Sequence, residues 1–360
     1  MMEPESILVS SIPYSLGALT TSRLNTSFSR VVTIGEGDFG SVASVILNQD
    51  RHPYAVKRTH KPIYSLIDLQ HRLQEVYALS SSSSDYVLRY HDAWLEQEVL
   101  HIMTERLEPV QTVFPNSFIG APLQLLWDLV LQLSLGIHSL HCSGTVHVDI
   151  KPDNILCCPA NTDDSPRIAN EDSTWFVGQV TFKLGDFGLA RPFVGSDAVL
   201  GFSSAFVGLN DDEGDRRYLC PYLLSAQLPP RLKEADMYSL GATIVELLGG
   251  DPSNCRNLNA KRAGGSSGAY VASLLQQSAL FLDDVVLLDL LGSMIETDPT
   301  MRPTAFQVVQ CCERALLRLG VLSSPSSIAA GIDDIETLKE IEALQNEIAI
   351  TEGQIRNHGM

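Results

Sequence analysis

The chain has 360 residues, 44% of them hydrophobic, and a formal net charge of −18 at pH 7. This length suits a two-lobed domain with short additions. The acidic balance argues against nucleic acids and acidic membranes as partners, because both favour proteins rich in Lys and Arg. No uninterrupted apolar run reaches the roughly 18 residues of a membrane span, so none is expected.

The ends and the cysteines indicate where the protein resides. Residues 1–27 are rich in Ser and Thr without clear periodicity, and we expect a flexible leader there. Glu3 and Glu5 stand where a secretory signal would be basic. The seven cysteines show neither metal-ligand spacing nor an even disulfide framework. A reducing compartment follows, so nucleus, cytoplasm or both are expected.

A strand, a glycine-rich turn and a second strand are predicted between residues 31 and 47. Gly35, Gly37 and Gly40 let backbone N–H groups approach phosphates, and Phe39 at the tip can cover them from water. Alone, the pattern also describes an ordinary hairpin with flexible glycines. The motifs that follow it favour a nucleotide site.

The next strand and helix supply a charged pair. In Tyr54-Ala55-Val56-Lys57, Ala55 and Lys57 share one face of a strand. A buried lysine needs a carboxylate partner, and Glu75 lies in a helical pattern from Leu66 to Leu79. We therefore expect an ion pair between Lys57 and Glu75, in which the lysine binds the α and β phosphates. Taken singly, each residue is equally well explained as a solvated charge on the surface.

Two further strands, around residues 87–95 and 99–103, complete a five-stranded antiparallel sheet with one helix. Residues 105–108 follow as a hinge between two lobes, 28–104 and 109–320. Backbone groups of Glu105 and Leu107 could hydrogen-bond a nucleotide base, and the small Thr104 would leave a back pocket open. Apolar spacing from Leu123 to Leu140 then predicts a long buried helix.

The loop after that helix carries the chemistry. In the segment from His147 to Asn154, Pro152 excludes a continuing helix, which brings Asp149 and Asn154 together in a tight loop. Followed by Gly185-Asp186-Phe187-Gly188, this loop resembles the catalytic and metal loops of protein kinases. Asp149 would accept the proton of the attacking hydroxyl, Lys151 would neutralise the transferring phosphoryl group, and Asn154 with Asp186 would hold magnesium.

The rest of the large lobe is predicted in less detail. Residues 157–179 are polar and read as a surface insertion, and residues 191–224 as an activation segment. Asp236 begins a strongly apolar helix. It could accept backbone N–H groups of the catalytic loop or simply cap its helix, and local sequence does not separate these readings.

Residues 28 to about 320 resemble a eukaryotic protein kinase, and within that group the Wee family, the Wee/Myt-type kinases that inhibit cyclin-dependent kinases. Five segments carry the Wee likeness, including His147–Asn154 with an apolar residue where most kinases have Arg. The other four are 54–62, 75–78, 87–94 and 213–218. The resemblance implies an α+β bilobal fold and inhibitory tyrosine phosphorylation in the glycine-rich loop of a cyclin-dependent kinase, restraining mitotic entry.

Two positions depart from the expected pattern. Tyr222 stands where the A-P-E motif has its glutamate, which leaves Arg302, similar to its usual partner, without an obvious carboxylate. Lys151-Pro152 is also typical of Ser/Thr kinases. A Ser/Thr kinase of another group and a pseudokinase scaffold are therefore the alternatives.

Val148 indicates how the activation segment is controlled. An arginine there would pair with a phosphate on the segment, and valine cannot. We expect Glu213, Asp215 and neighbouring arginines to order the segment instead.

The C-terminal residues, within 321–360, show apolar residues every three or four positions from Ile335 to Ile355. They predict an amphipathic helix across 328–356 that packs back on the large lobe or, as the less favoured reading, mediates a dimer.

The resemblance implies ATP and Mg²⁺ as cofactors and a cyclin-dependent kinase, with its cyclin, as protein substrate. A monomer is expected, with a dimer through the tail helix as the alternative. The residues predicted to bind ATP are Ile34, Gly35, Gly37, Phe39, Gly40, Val42, Ala55, Lys57, Glu75, Thr104, Glu105, Leu107 and Leu156.

Overall fold

The computed structural model describes residues 22–37, 40–60, 62–159, 180–192, 214–224, 231–256, 267–275 and 284–322. The small lobe contains a five-stranded antiparallel sheet in the order β1-β2-β3-β5-β4. Its strands are β1 (Phe28–Gly37), β2 (Gly40–Leu47), β3 (Pro53–Thr59), β4 (Tyr90–Glu96) and β5 (Val99–Glu105). The predicted sheet is confirmed, although β4 begins only at Tyr90.

A short helix, α1 (Arg23–Ser27), precedes the sheet and corrects the predicted leader. The Arg23 guanidinium lies 2.5 Å from Asp92 Oδ2 and 4.3 Å above the Trp94 ring. Phe28 stacks on the same Trp94 ring, with the centroids 5.9 Å apart. These contacts tie the end of the predicted leader to β4, so residues 23–27 belong to the folded small lobe. Residues 1–21 lie outside the described residues.

The longer of the two described helices of the small lobe, α2 (Leu66–Ser81), begins where Ser65 accepts a hydrogen bond from the Asp68 N–H. Val76 and Leu79 are buried in the main apolar core, and Glu75 lies beside them. This face of α2 therefore places the Glu75 carboxylate against the sheet.

The large lobe is mainly helical and is built around α4. After β6 (Glu108–Pro109) and α3 (Val110–Val113), α4 spans Leu123–Cys142. Among the described helices, α4 alone is long and apolar enough to cross a membrane by length and composition, and 72% of the tested stretch is buried in the protein. That burial confirms the predicted core helix.

Short strands follow α4 and carry the loops of the site. They are β7 (Thr145–Val146), β8 (Ile155–Pro159), β9 (Val180–Leu184) and β10 (Arg191–Pro192). Strands β6, β8 and β9 form one small sheet, and β7 pairs with β10. The remaining helices are α5 (Pro221–Leu224), α6 (Leu232–Leu247), α7 (Ser267–Leu275), α8 (Val285–Met294) and α9 (Ala305–Arg318).

One continuous apolar core joins α2, α4, α6, α8 and α9. The predicted α+β architecture of two lobes is thus confirmed. Most of the predicted insertion 157–179, much of the activation segment and the predicted tail helix 328–356 lie outside the described residues.

Candidate active site

The glycine-rich hairpin closes between Gly37 and Gly40, which pair across β1 and β2. A Cβ atom on Gly40 would lie 2.2 Å from the carbonyl oxygen of Arg58, so this position excludes any side chain. Ile34, Gly35 and Val42 lie on the same two strands. Phe39, predicted to cover the phosphates, lies outside the described residues.

Lys57, Glu75 and Asp186 form one charged cluster. The Lys57 ammonium nitrogen lies 2.7 Å from Glu75 Oε1 and 2.7 Å from Asp186 Oδ1. The pairing of Lys57 with Glu75 is therefore present, and Asp186 joins it from a loop 129 positions downstream. Strand β3, helix α2 and the segment after β9 meet at this point.

The electrostatics of the cluster keep the lysine charged. Burial disfavours the ammonium, but the two carboxylates outweigh that effect and raise the pKa of Lys57. Burial raises the pKa of Glu75, and the nearby charge of Lys57 offsets only part of this increase. For Asp186, burial is outweighed by Lys57, and the pKa is lowered. A fixed cation flanked by two acids is suited to bind phosphate oxygens.

Asp149 is the centre of a second cluster, in the loop between β7 and β8. Its Oδ2 atom accepts from the Lys151 ammonium and from the Asn154 amide, each at 2.8 Å. The Asn154 amide also bonds the Asp149 backbone carbonyl at 2.7 Å. Because the Gly185 N–H donates to the Asn154 carbonyl at 2.8 Å, this loop and the Asp186 loop lie side by side, as predicted.

Asp236, on helix α6, binds backbone groups of the loop that carries Asp149. Fully buried, it accepts from the N–H groups of His147 and Val148 at 2.9 and 2.8 Å, and its Oδ2 lies 3.0 Å from His141 Nε2. Arg231, not Asp236, is the N-cap residue of α6. The two readings left open by the sequence are thus resolved in favour of backbone binding.

That support offsets backbone strain. Val148 has φ of +68° and is 2% exposed. The left-handed region is costly for a β-branched residue. Hydrogen bonds to Asp236 keep the N–H of Val148 in this orientation and so fix the direction of Asp149.

The predicted hinge follows β5. Ala55 pairs with Thr104 across β3 and β5, and Leu156 of β8 packs against the Gly185 backbone. The Glu105 N–H donates to the Arg89 carbonyl at 3.0 Å. Ala55 therefore lies beside Thr104 where the small lobe leads into the hinge, and Leu156 lies beside the loop that carries Asp186.

The sequence reasoning missed Lys183, a buried lysine on β9. Its ammonium lies 2.8 Å from Glu105 Oε1, which also accepts from the Arg89 N–H at 2.7 Å. A lysine between the apolar residues Phe182 and Leu184 could have been paired with a carboxylate by the argument applied to Lys57. This pair fixes the hinge against β9.

The residues predicted to hold magnesium fit such an ion. The Asn154 amide nitrogen is engaged by Asp149, which leaves its amide oxygen as the metal-binding atom. Oδ1 of Asp186 accepts hydrogen bonds from Lys57 and from the Gly188 N–H, which leaves Oδ2 as the carboxylate oxygen for the metal ion. One amide oxygen and one carboxylate oxygen are the hard ligands that Mg²⁺ takes together with water and phosphate. Within the described residues, no cluster of three His, Cys, Asp or Glu side chains offers another metal site.

The end of the activation segment is partly described. Arg217 Nη2 lies 2.7 Å from Asp215 Oδ2, and Nε of the same guanidinium bonds both carboxylate oxygens. Burial opposes the charged form, but Arg217 and the charge of Lys151 hold the pKa of Asp215 low. The structure thus contains one acid–arginine pair of the kind expected. Glu213 lies outside the described residues.

Comparison with known proteins gives a consistent result. The protein kinase domain family matches residues 28–312. Wee1-like protein kinase 2-A of Xenopus laevis is 31% identical over 290 residues, which cover 79% of this chain and 48% of that protein. Wee1-like protein kinase 2 of Danio rerio is 32% identical over 334 residues, 87% and 57% of the two chains. The chain spans about half the length of the curated relatives it matches.

Proposed function

The chain belongs to the protein kinase family and, within it, to the Wee family, and from this premise we propose that it transfers the γ-phosphoryl group of ATP to a tyrosine hydroxyl of a cyclin-dependent kinase. The substrate assignment is supported by the Wee-type segments, including Glu213–Tyr218. The observation that carries the activity is the adjacency of the Asp149–Lys151–Asn154 and Lys57–Glu75–Asp186 clusters.

Each charged group then has a task. Asp149 accepts the proton of the acceptor hydroxyl as the oxygen attacks phosphorus, a role of general bases at such sites. Lys151, 2.8 Å from that carboxylate, neutralises the transferring group. Lys57 binds the α and β phosphates, and Glu75 keeps it in place. Asn154 and Asp186 would hold Mg²⁺, which supplies charge neutralisation to the phosphates.

The acceptor is tested by direct mapping. We expect incubation with ATP and a purified cyclin-dependent kinase bound to its cyclin to place phosphate on a tyrosine of the glycine-rich loop of the substrate. Phosphopeptide mass spectrometry reads the position, and the same substrate with that tyrosine changed to phenylalanine is the control. Phosphate only on serine or threonine would support the reading that Lys151-Pro152 favours and overturn the tyrosine assignment.

Activity is expected without phosphorylation of the activation segment. Val148 offers no cation to a phosphate, and Asp215 already pairs with Arg217. Complete phosphatase treatment, checked by intact mass, should therefore change kcat by less than about twofold. A kinase that is known to need segment phosphorylation serves as the positive control. Loss of most activity would contradict the idea that Asp215 and Arg217 order the segment.

The setting follows from the same observations. The seven cysteines show no even disulfide framework in the sequence, a pattern typical of proteins in a reducing compartment, and we propose the nucleus or cytoplasm. We also propose a monomeric enzyme, because Lys57, Asp149 and Asp186, which carry the proposed activity, all belong to one chain.

A further inference from the structure

Residues 214–224, the last described part of the activation segment, are joined to helix α6 through Tyr218. Tyr218 is 3% exposed. Its hydroxyl donates a hydrogen bond to Glu246 Oε2, and its backbone carbonyl accepts from Ser239 Oγ at 3.0 Å. Because Ser239 and Glu246 both lie on α6, side chain and backbone of one tyrosine are tied to one rigid element.

Arg302, in contrast, contributes no carboxylate pair to this segment. It is 6% exposed, and its guanidinium bonds the backbone carbonyls of Glu296, Glu234 and Thr297 at 2.7, 2.8 and 3.3 Å. Among the described residues no acidic side chain contacts it. Position 222 is where the A-P-E motif would have its glutamate. The tyrosine found there is partly buried and packs against the main apolar core.

Helix α6 also supports the catalytic loop. Thr243 Oγ1 donates to the Ile150 carbonyl at 3.2 Å, and Asp236 binds the N–H groups of two further loop residues. On the other side of Tyr218, the Arg217 guanidinium lies 5.1 Å from the tyrosine ring centroid and pairs with Asp215. One helix therefore sets the positions of both the proton acceptor and the segment.

We propose that Tyr218 and Glu246 are the positioning pair that anchors the activation segment in this chain, in place of a carboxylate at position 222. The pair acts through the segment, which presents the acceptor protein to Asp149, and it does not touch the reacting atoms. This inference rests on the proposed function for its kinetic consequence, but the anchoring itself does not depend on catalysis.

The test compares Tyr218→Phe and Glu246→Leu with Tyr270→Phe. Tyr270 is a matched control, since it is also buried and its hydroxyl also donates to an acceptor, the Asn254 carbonyl, which lies outside residues 214–224. A hydrogen bond to a charged group is worth about one to two factors of ten. We expect Tyr218→Phe to raise KM for the protein substrate about tenfold, with KM for ATP changed less than about twofold.

Three further readouts separate anchoring from general stability. Trypsin should cleave after the exposed Arg216 or Arg217 several-fold faster in Tyr218→Phe than in Tyr270→Phe. Glu246→Gln, which keeps an acceptor oxygen, should retain more substrate affinity than Glu246→Leu. The double variant Tyr218→Phe, Glu246→Leu should raise KM for the protein substrate no more than the more severe single variant does, because each single change already removes the same hydrogen bond.

The pair is not the anchor if Tyr218→Phe matches Tyr270→Phe in both proteolysis and KM, or if the two single changes add fully. The proteolysis readout needs no turnover. Faster cleavage in Tyr218→Phe together with a wild-type enzyme that transfers no phosphate would overturn the proposed function and leave the anchor supported.

Discussion

Replacing Asp149 with asparagine is expected to lower kcat for phosphoryl transfer by about 10²-fold or more. The asparagine would keep the shape of the side chain and could still accept from Lys151 or Asn154, which lie 2.8 Å from Asp149 Oδ2. It would lose the negative charge and the basic oxygen that take the acceptor proton. Since Lys57, Glu75 and Asp186 are untouched, nucleotide affinity should change little.

Asp153→Asn is the matched control, because Asp153 belongs to the same loop and is exposed. It should leave kcat within about twofold. The measurements are steady-state transfer to the protein substrate and equilibrium binding of a fluorescent nucleotide. If the wild-type protein binds nucleotide but transfers phosphate no faster than Asp149→Asn, the result would favour the alternative of a pseudokinase scaffold, which Tyr222 suggested.

The site residues near one another in sequence were predicted well, for a physical reason. Alternation along β3 fixes which side chains share a face, and helical spacing fixes the buried side of α2. The Lys57–Glu75 pair follows from these two local rules together with the cost of a buried charge. Asp149 and Asn154 are likewise confined by the loop that Pro152 imposes.

Contacts between distant segments were less predictable. Spacing does not specify how the lobes pack, so the bond from Lys57 to Asp186, 129 positions apart, required the family motif or the structure. Alternation along β9 places Lys183 on the face opposite the buried Phe182 and Leu184, which predicts an exposed side chain, yet Lys183 is 7% exposed and paired with Glu105.

The predicted leader shows a different limit. Arg23 has no local pattern that marks a helix, and α1 is held by Asp92 and Trp94, far along the chain. A five-residue helix gains little from propensity alone, since most helical stability in proteins comes from tertiary packing. Such elements are visible only once the surface they cover is known.

Asp236→Ala is expected to lower the free energy of unfolding by about 3–5 kcal/mol. The change leaves the buried N–H groups of His147 and Val148 without the acceptor they have here and removes the carboxylate that lies 3.0 Å from His141 Nε2. Val148 would also lose the support for its left-handed backbone, so Asp149 should lose its fixed direction and kcat should fall as well.

Glu234→Ala provides the control on the same helix, because the Glu234 carboxylate makes only a partly exposed ion pair with Arg231 at 3.2 Å. Such pairs contribute about 0–1 kcal/mol, and its backbone carbonyl remains available to Arg302. Urea unfolding of both variants measures the difference. If Asp236→Ala cost no more than Glu234→Ala, the two loop N–H groups would have to find other acceptors, and Asp236 could not be what orients Asp149.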